Sequence, residues 1–234
     1  MSREELFDLS AEYEQMLNQG IGLSGESRQF FIEGRLKGLK GLLDPGFVVK
    51  RILDYGCGIG TSSKRLSEEF AGAQVVGVDT SENAIEYAAE QYGSTKIGSA
   101  RISFRVLDEL DQEAAFDLCY VNGVFHHIVP EQRAGALYGI HKALRPGGLL
   151  ALFENNPWNP GTRMVMSRIP FDRDAITLTP PETTALVTKA GFKAVCQPKS
   201  FFYFPRQLAF LRPLEGVLTH LPLGAQYVVL AAKV

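Results

Sequence analysis

From Asp44-Pro45-Gly46, a turn signal, the chain alternates short apolar runs with longer stretches of mixed polarity. The runs lie at 51–55, 74–78, 102–107, 116–121 and 148–153. Each is almost wholly apolar, as expected of strands covered on both faces. Between them, 61–71, 81–92 and 131–144 read as helices, and the Gly/Ser-rich stretch 93–101 reads as a loop. Strands alternating with helices predict a parallel sheet with crossover helices. Residues 3–43 read as helical with a break near 20–25, an extension that caps or packs on the sheet.

The pattern lapses from 155 to 179, a long irregular stretch of the kind that often carries function. Thr179-Pro180-Pro181-Glu182 then reads as a capping box with proline at the first helical position, and Gly191 is placed to end that helix. Two apolar runs close the chain, 192–204 and 226–232, with a connection over about 207–223 too long for a tight hairpin. Its leucines recur at helical spacing, interrupted by Pro213. A helix docked on the sheet and an apolar lid over a lipophilic ligand, or a membrane-surface contact, fit that pattern equally.

Composition narrows the class. Net charge is −2 over 234 residues, so a basic footprint for nucleic acid is absent. Cys57, Cys119 and Cys196 are odd in number and form no CxxC, which argues against a disulfide framework or a metal ribbon and for a reducing, cytoplasmic setting. The first residues, MSREELFDLSAEYEQ, are too acidic for a signal peptide, and no run of 18 apolar residues could span a membrane.

The segment Ile52-Leu53-Asp54-Tyr55-Gly56-Cys57-Gly58-Ile59-Gly60-Thr61 carries the most chemistry. A strand enters a turn with three glycines and leaves as a helix, so backbone and ligand can approach closely. Asp79 ends the next strand, where an acid can accept from both ribose hydroxyls of an adenosine. Dinucleotide enzymes use GxGxxG, whereas the spacing here is GxGxG with Thr61 at the third position, and no phosphate-loop GxxxxGK[ST] occurs.

These segments resemble the class I S-adenosylmethionine-dependent methyltransferases. The resemblance rests on ILDYGCGIG at 52–60, VVGVDTSENAIEYA at 75–88, FDLCYVNGVFHHI at 116–128, LRPGGLLALFE at 144–154 and KAGF at 189–192. It implies an α/β, Rossmann-like, doubly wound seven-stranded sheet, mostly parallel with an antiparallel last strand, plus an N-terminal helical cap. It implies S-adenosyl-L-methionine as cofactor: Asp54 steadying the turn and reaching the methionine, Gly56, Gly58 and Gly60 letting the cofactor lie close, Asp79 with Thr80 at the ribose, Asp108 near the adenine, and Asn122 beside the sulfonium. Asp108 competes with Glu109 and Asp111 for its role. The chain is expected to be one domain over 1–234: a cap over 1–44, a cofactor-binding core over 45–155, and an acceptor-side loop, lid and closing strands over 156–234. Tyr13 to Leu17, the NPWNP at 156–160 and the PLGAQY at 222–227 are similar to methyltransferases of lipid-linked or polysaccharide pathways.

The expected reaction is methyl transfer to a small, partly hydrophobic acceptor. A nicotinamide-dependent oxidoreductase, and a cofactor binder without chemistry, are the alternatives. His126 and His127 are the candidate general bases, with packing the favoured role for both. No metal cluster is visible. Glu154, Asn155 and Asn156 divide evenly between loop capping and acceptor contact, and Trp158 reads as a core or loop anchor. Arg163, Arg168, Arg173 and Arg206 could meet an anionic acceptor, and Tyr13 and Arg35 could close over the cofactor. Cys57 lacks a neighbouring base and reads as structural. Residues 201–221 with 156–168 are expected to roof the methyl site.

Overall fold

A computed structural model describes residues 20–93, 101–111 and 113–234. Tyr13, Leu17 and most of the loop at 93–101 lie outside the described residues. Helices α1 (Arg28–Leu42), α2 (Thr61–Glu69), α3 (Glu82–Tyr92) and α4 (Pro130–Ala143) alternate with strands β1 (Arg51–Tyr55), β2 (Gln74–Asp79), β3 (Arg101–Val106), β4 (Phe116–Asn122) and β5 (Leu144–Asn155). Helices α5 (Pro160–Met166) and α6 (Pro180–Lys189) follow. Strands β6 (Phe192–Ala194) and β7 (Lys199–Phe201), helix α7 (Glu215–Leu218) and strand β8 (Gln226–Lys233) close the chain.

The sheet order is β3-β2-β1-β4-β5-β8-β6, with β7 also paired to β8. Strands β1 to β5 are parallel, and β8 runs antiparallel to β5. The sheet has eight strands rather than the expected seven. The run at 192–204 is the cause: it breaks into β6 and β7, and both pair with β8. The order reverses between β1 and β4, and open α/β sheets bind ligands at the carboxyl edge of such a switch point.

Alternate residues serve opposite faces because side chains on a strand point up and down in turn. Leu53, Tyr55, Cys119, Val121, Leu150 and Leu152 join one core with Leu137 and Ile140 of α4 and Val187 of α6. Ile52, Leu118, Tyr120, Ala151 and Phe153 join the other with Ile32, Leu36 and Leu39 of α1 and Leu66 of α2. Complete burial of a side chain such as Phe153 contributes about 1.5–3 kcal/mol. The caps follow the sequence: Ser27 begins α1, Ser81 begins α3, and Thr179 with Glu182 forms the capping box of α6.

The connection before β8 is a 3-10 segment over Arg206–Leu214 and the short α7, not a docked α-helix. Pro213 cannot donate an amide hydrogen bond and Leu208 has a non-helical backbone, so a regular helix cannot run through. Phe201 packs on Phe153 at 5.4 Å, and Tyr203 packs edge-on to Phe31 of α1 at 5.0 Å. These aromatic residues complete the core on the α1 face.

Asp117 fastens the amino edge of the sheet. Its Oδ2 accepts from the amides of Lys50 and Arg51, both at 2.8 Å, and its Oδ1 accepts from Arg145 Nε at 2.6 Å. Burial acts to raise its pKa, but the Arg145 guanidinium and the two amides outweigh it and hold the carboxyl below its usual value. A depressed folded pKa adds stability above the unfolded value near 3.9 and loses it as pH falls through the folded one. Asp117→Asn should therefore cost about 1–3 kcal/mol at neutral pH. Denaturant melts should show that deficit shrinking below about pH 4.

Candidate functional site

The carboxyl ends of β1, β2 and β4 open into one cleft of 1080 Å³. Gly56, Gly58, Asp79, Thr80, Asn122 and His127 are among the residues that line it. Gly56, Gly58 and Gly60 all have positive φ, at 74°, 51° and 79°. A methyl group at Gly56 would collide with Val124, and one at Gly60 would lie 2.7 Å from Phe104. At Gly58 it would meet nothing within 4 Å, so this glycine presents bare backbone to open space.

Hydrogen bonds fix the turn to the neighbouring strand. The amides of Gly56 and Cys57 donate to the Val78 carbonyl at 2.8 and 3.0 Å. Asp79 Oδ2 accepts from the Gly58 amide at 2.8 Å, and its Oδ1 accepts from the Ser81 amide at 3.1 Å. Asp79 thus braces the turn while standing on the cleft wall. Burial raises its pKa against the opposing pull of these amides. Asp54 lies beneath the turn, almost fully buried, and accepts from Ser63 Oγ at 2.6 Å. Burial pushes its carboxyl up to about 7, opposed by the Ser63 hydroxyl and Arg28 and aided by Asp79. Asn122 Oδ1 is buried and has no partner among the described residues, although it belongs to a cleft residue. A polar atom left so is costly unless a ligand completes it.

Asp108 is exposed in the turn after β3 and is not part of the cleft wall, whereas Asp111 is. Cys57 is buried and its thiol is pushed well up, which suits packing and not nucleophilic attack. Neither 156–168 nor 201–221 contributes a residue to that wall.

Beside the cleft lies a buried charged cluster that sequence reasoning found only in part. His126 Nδ1 donates to Glu154 Oε2 at 2.5 Å, and Glu154 Oε1 accepts from the Phe125 amide at 2.7 Å. Asp172 Oδ1 lies 3.5 Å from His126 Nε2 and 3.2 Å from His127 Nε2. Burial alone would lower the His126 pKa, but the two carboxylates outweigh it and raise it to about 10. Burial opposes ionisation of Asp172 too, yet the two imidazoles hold it down at about 2. Burial leads in keeping His127 below its usual value. Arg133 binds the loops over this cluster, donating to the carbonyls of Phe125, Ile128 and Ile176.

His126, His127 and Asp172 offer ligand atoms within 4.8 Å of one another, a spacing a divalent cation can bridge. Glu154 and Asp172 face the two nitrogens of the His126 ring, and the cluster holds the loop after β4. Asp172 was missed because it sits in the irregular stretch with no motif around it; Glu154 was visible as an acid near the end of an apolar strand.

Loop capping accounts for the end of β5. Asn156 donates to the carbonyls of Pro222 and Gly224, and Asn155 Oδ1 accepts from Gln226. Arg35 does not reach the cleft wall; it is buried against Tyr120 and Gln226. Arg163, Arg168, Arg173 and Arg206 are exposed and away from the cleft. Trp158 is 44% exposed, so it is not a core anchor.

The cluster predicts a pH signature. A raised His126 pKa adds stability that is complete below the unfolded value near 6.5 and is lost as pH rises through about 10. Stability should therefore decline from neutral pH towards pH 10 in denaturant melts. His126→Ala, which strands two carboxylates, should cost about 3–5 kcal/mol and flatten that decline.

Residues 53–150 match the family model described as a methyltransferase domain. The chain is 29% identical over 150 residues to the O-methyltransferase cnsE of Penicillium expansum, covering 62% of this chain and 53% of that protein. It is 31% identical over 156 residues to phosphoethanolamine N-methyltransferase 1 of Arabidopsis thaliana, covering 63% of this chain and 28% of that one. The chain spans about half the length of the first curated relatives it matches. Among solved structures, an S-adenosylmethionine-dependent methyltransferase of Thermotoga maritima, described as a possible histamine N-methyltransferase, aligns over 100% of both chains with a TM-score of 0.64 at 18% identity. With the glycine turn, the acid ending β2 and the switch point between β1 and β4, the chain has the fold of the S-adenosylmethionine-dependent methyltransferases, and its segment 53–150 is similar to a methyltransferase domain.

Proposed function

We propose that this chain transfers a methyl group from S-adenosylmethionine to a small, partly hydrophobic acceptor. The observation that carries the reading is the cleft at the switch point, where bare backbone at Gly58, the Asp79 carboxylate and the unpartnered Asn122 Oδ1 meet on one wall. These residues fit the cofactor: Asp79 keeps a lone pair for a ribose hydroxyl beyond the backbone amides it accepts, and Asn122 offers a carbonyl oxygen that lacks a partner among the described residues. When bound, the cofactor supplies a methyl group already activated on a positively charged sulfur. The chain's own contribution is then to position two reactants and exclude water.

Neither histidine is a base in this reading. Both ring nitrogens of His126 face carboxylates. His127 Nε2 faces Asp172 and its Nδ1 is buried. The relatives' names include O- and N-methyltransferases, which supports the reaction class and leaves the acceptor to be chosen by the wall itself. The helices of the described residues include none long and apolar enough to cross a membrane, and the three cysteines are free. The free cysteines suit a reducing, cytoplasmic setting.

Calorimetry should find S-adenosylmethionine or its demethylated product binding with micromolar affinity, on the order of −8 kcal/mol. Asp79→Ala should weaken it by about 1–3 kcal/mol. Binding of a nicotinamide dinucleotide in place of either ligand would overturn the reading. For the histidines, His127→Asn should lower stability and cofactor affinity together. A turnover loss of about 100-fold at unchanged affinity would instead make His127 a base.

A further inference from the structure

The segment between β7 and β8 exposes an unusual amount of apolar surface. Leu208, Phe210, Leu214, Val217, Leu221 and Leu223 are all exposed, with Phe210 and Val217 at 74%. None of the residues over Arg206–Leu214 and Glu215–Leu218 is buried. Trp158 and Met164 extend the patch. Their loop is tied to it by hydrogen bonds from Asn156 to Pro222 and Gly224, from Asn159 to Leu223 and from Thr162 to Ala225. Large apolar groups concentrated in this way mark an interaction surface, whereas scattered ones do not.

The charge around the patch names the partner. Arg163, Arg168 and Arg206 are exposed beside it, and residues 156–168 contain no acid. Over 199–223, Lys199, Arg206 and Arg212 face Glu215 alone. Arg212 is committed to Glu26, whereas Arg163, Arg168 and Arg206 have no ion pair among the described residues. The chain as a whole carries −2, so this face is basic against an acidic remainder. Tryptophan, phenylalanine and leucine interleaved with arginine on a surface segment suit the interface of an anionic bilayer. The position fits as well. Asn155 pairs with Gln226 and Phe201 with Gln226, so the segment leaves and re-enters the sheet at the carboxyl edge, the edge that holds the cofactor cleft.

We infer that residues 206–223, with Trp158 and Met164, dock this protein on an anionic lipid surface. The test is co-sedimentation of the full chain with vesicles of phosphatidylcholine alone and of phosphatidylcholine with phosphatidylglycerol. The chain should pellet with the anionic vesicles only, and added salt should release it. The double variant Phe210→Asp, Val217→Asp alters two solvent-facing side chains and should fold and bind cofactor as the parent does. It should lose vesicle affinity by about tenfold or more, because buried apolar area and attraction to anionic lipid are both removed. Arg163→Glu with Arg206→Glu should abolish the preference for anionic vesicles. Failure of the parent to pellet, or pelleting unchanged in the double variant, overturns the proposal. A parent dimer that the double variant dissolves, with no vesicle binding, assigns the patch to a second copy of the chain and overturns it too. None of these readouts depends on methyl transfer, so the docking surface and the proposed activity stand or fall separately.

Discussion

The hydrogen bond from the Gly58 amide to Asp79, 2.8 Å long, is the constraint on which the site depends. It ties the turn after β1 to the end of β2, across a parallel pair whose register already sets Tyr55 beside Val78. Three successive positive-φ glycines are needed to turn the chain within that distance. Gly56 and Gly60 are fixed by crowding, since Val124 and Phe104 occupy the space of a side chain. Gly58 is fixed by the opposite condition: its open face is the surface left for a ligand. The same carboxylate that braces the turn is then the group offered to the cleft, so folding and binding draw on one residue.

The other wall is held by charge. The loop after β4 carries His126 and His127, and three separate parts of the chain converge to fix it: Glu154 from the end of β5, Asp172 from the irregular stretch, and Arg133 from α4. A buried network of this kind is stable only if every member is matched. Here Glu154 and Asp172 take up both nitrogens of the His126 ring and Nε2 of His127. Catalysis in this account rests on positioning, with binding energy spent on alignment of the two reactants and not on proton transfer.

Much of the architecture was legible because strands covered on both faces read as apolar runs. The strand at 51–55 has the bounds its pattern predicts, and the helix begun by Thr179 carries its capping box. The glycine turn, Asp79 and Asn122 were legible for the same local reason: each sits at a fixed offset from a strand end. What escaped the sequence depends on contacts distant along the chain. The pairing of Asp172 with two histidines is set by how the loop at 155–179 folds back, and no periodicity records that. The leucine spacing over 207–223 suggested a docked helix, but Pro213 and the backbone at Leu208 left a segment whose apolar side chains face outward.

The central claim is that the cofactor cleft at the switch point is complete and is read by Asp79, Gly58 and Asn122. A crystal structure with S-adenosylhomocysteine tests it most directly. The account predicts the ribose hydroxyls at the Asp79 carboxylate, the ligand backbone passing over Gly58 within van der Waals contact, and Asn122 Oδ1 in contact with a polar group of the ligand. Density for the ligand elsewhere on the molecule, or a bound ligand that leaves Asp79 and Asn122 untouched, would contradict it.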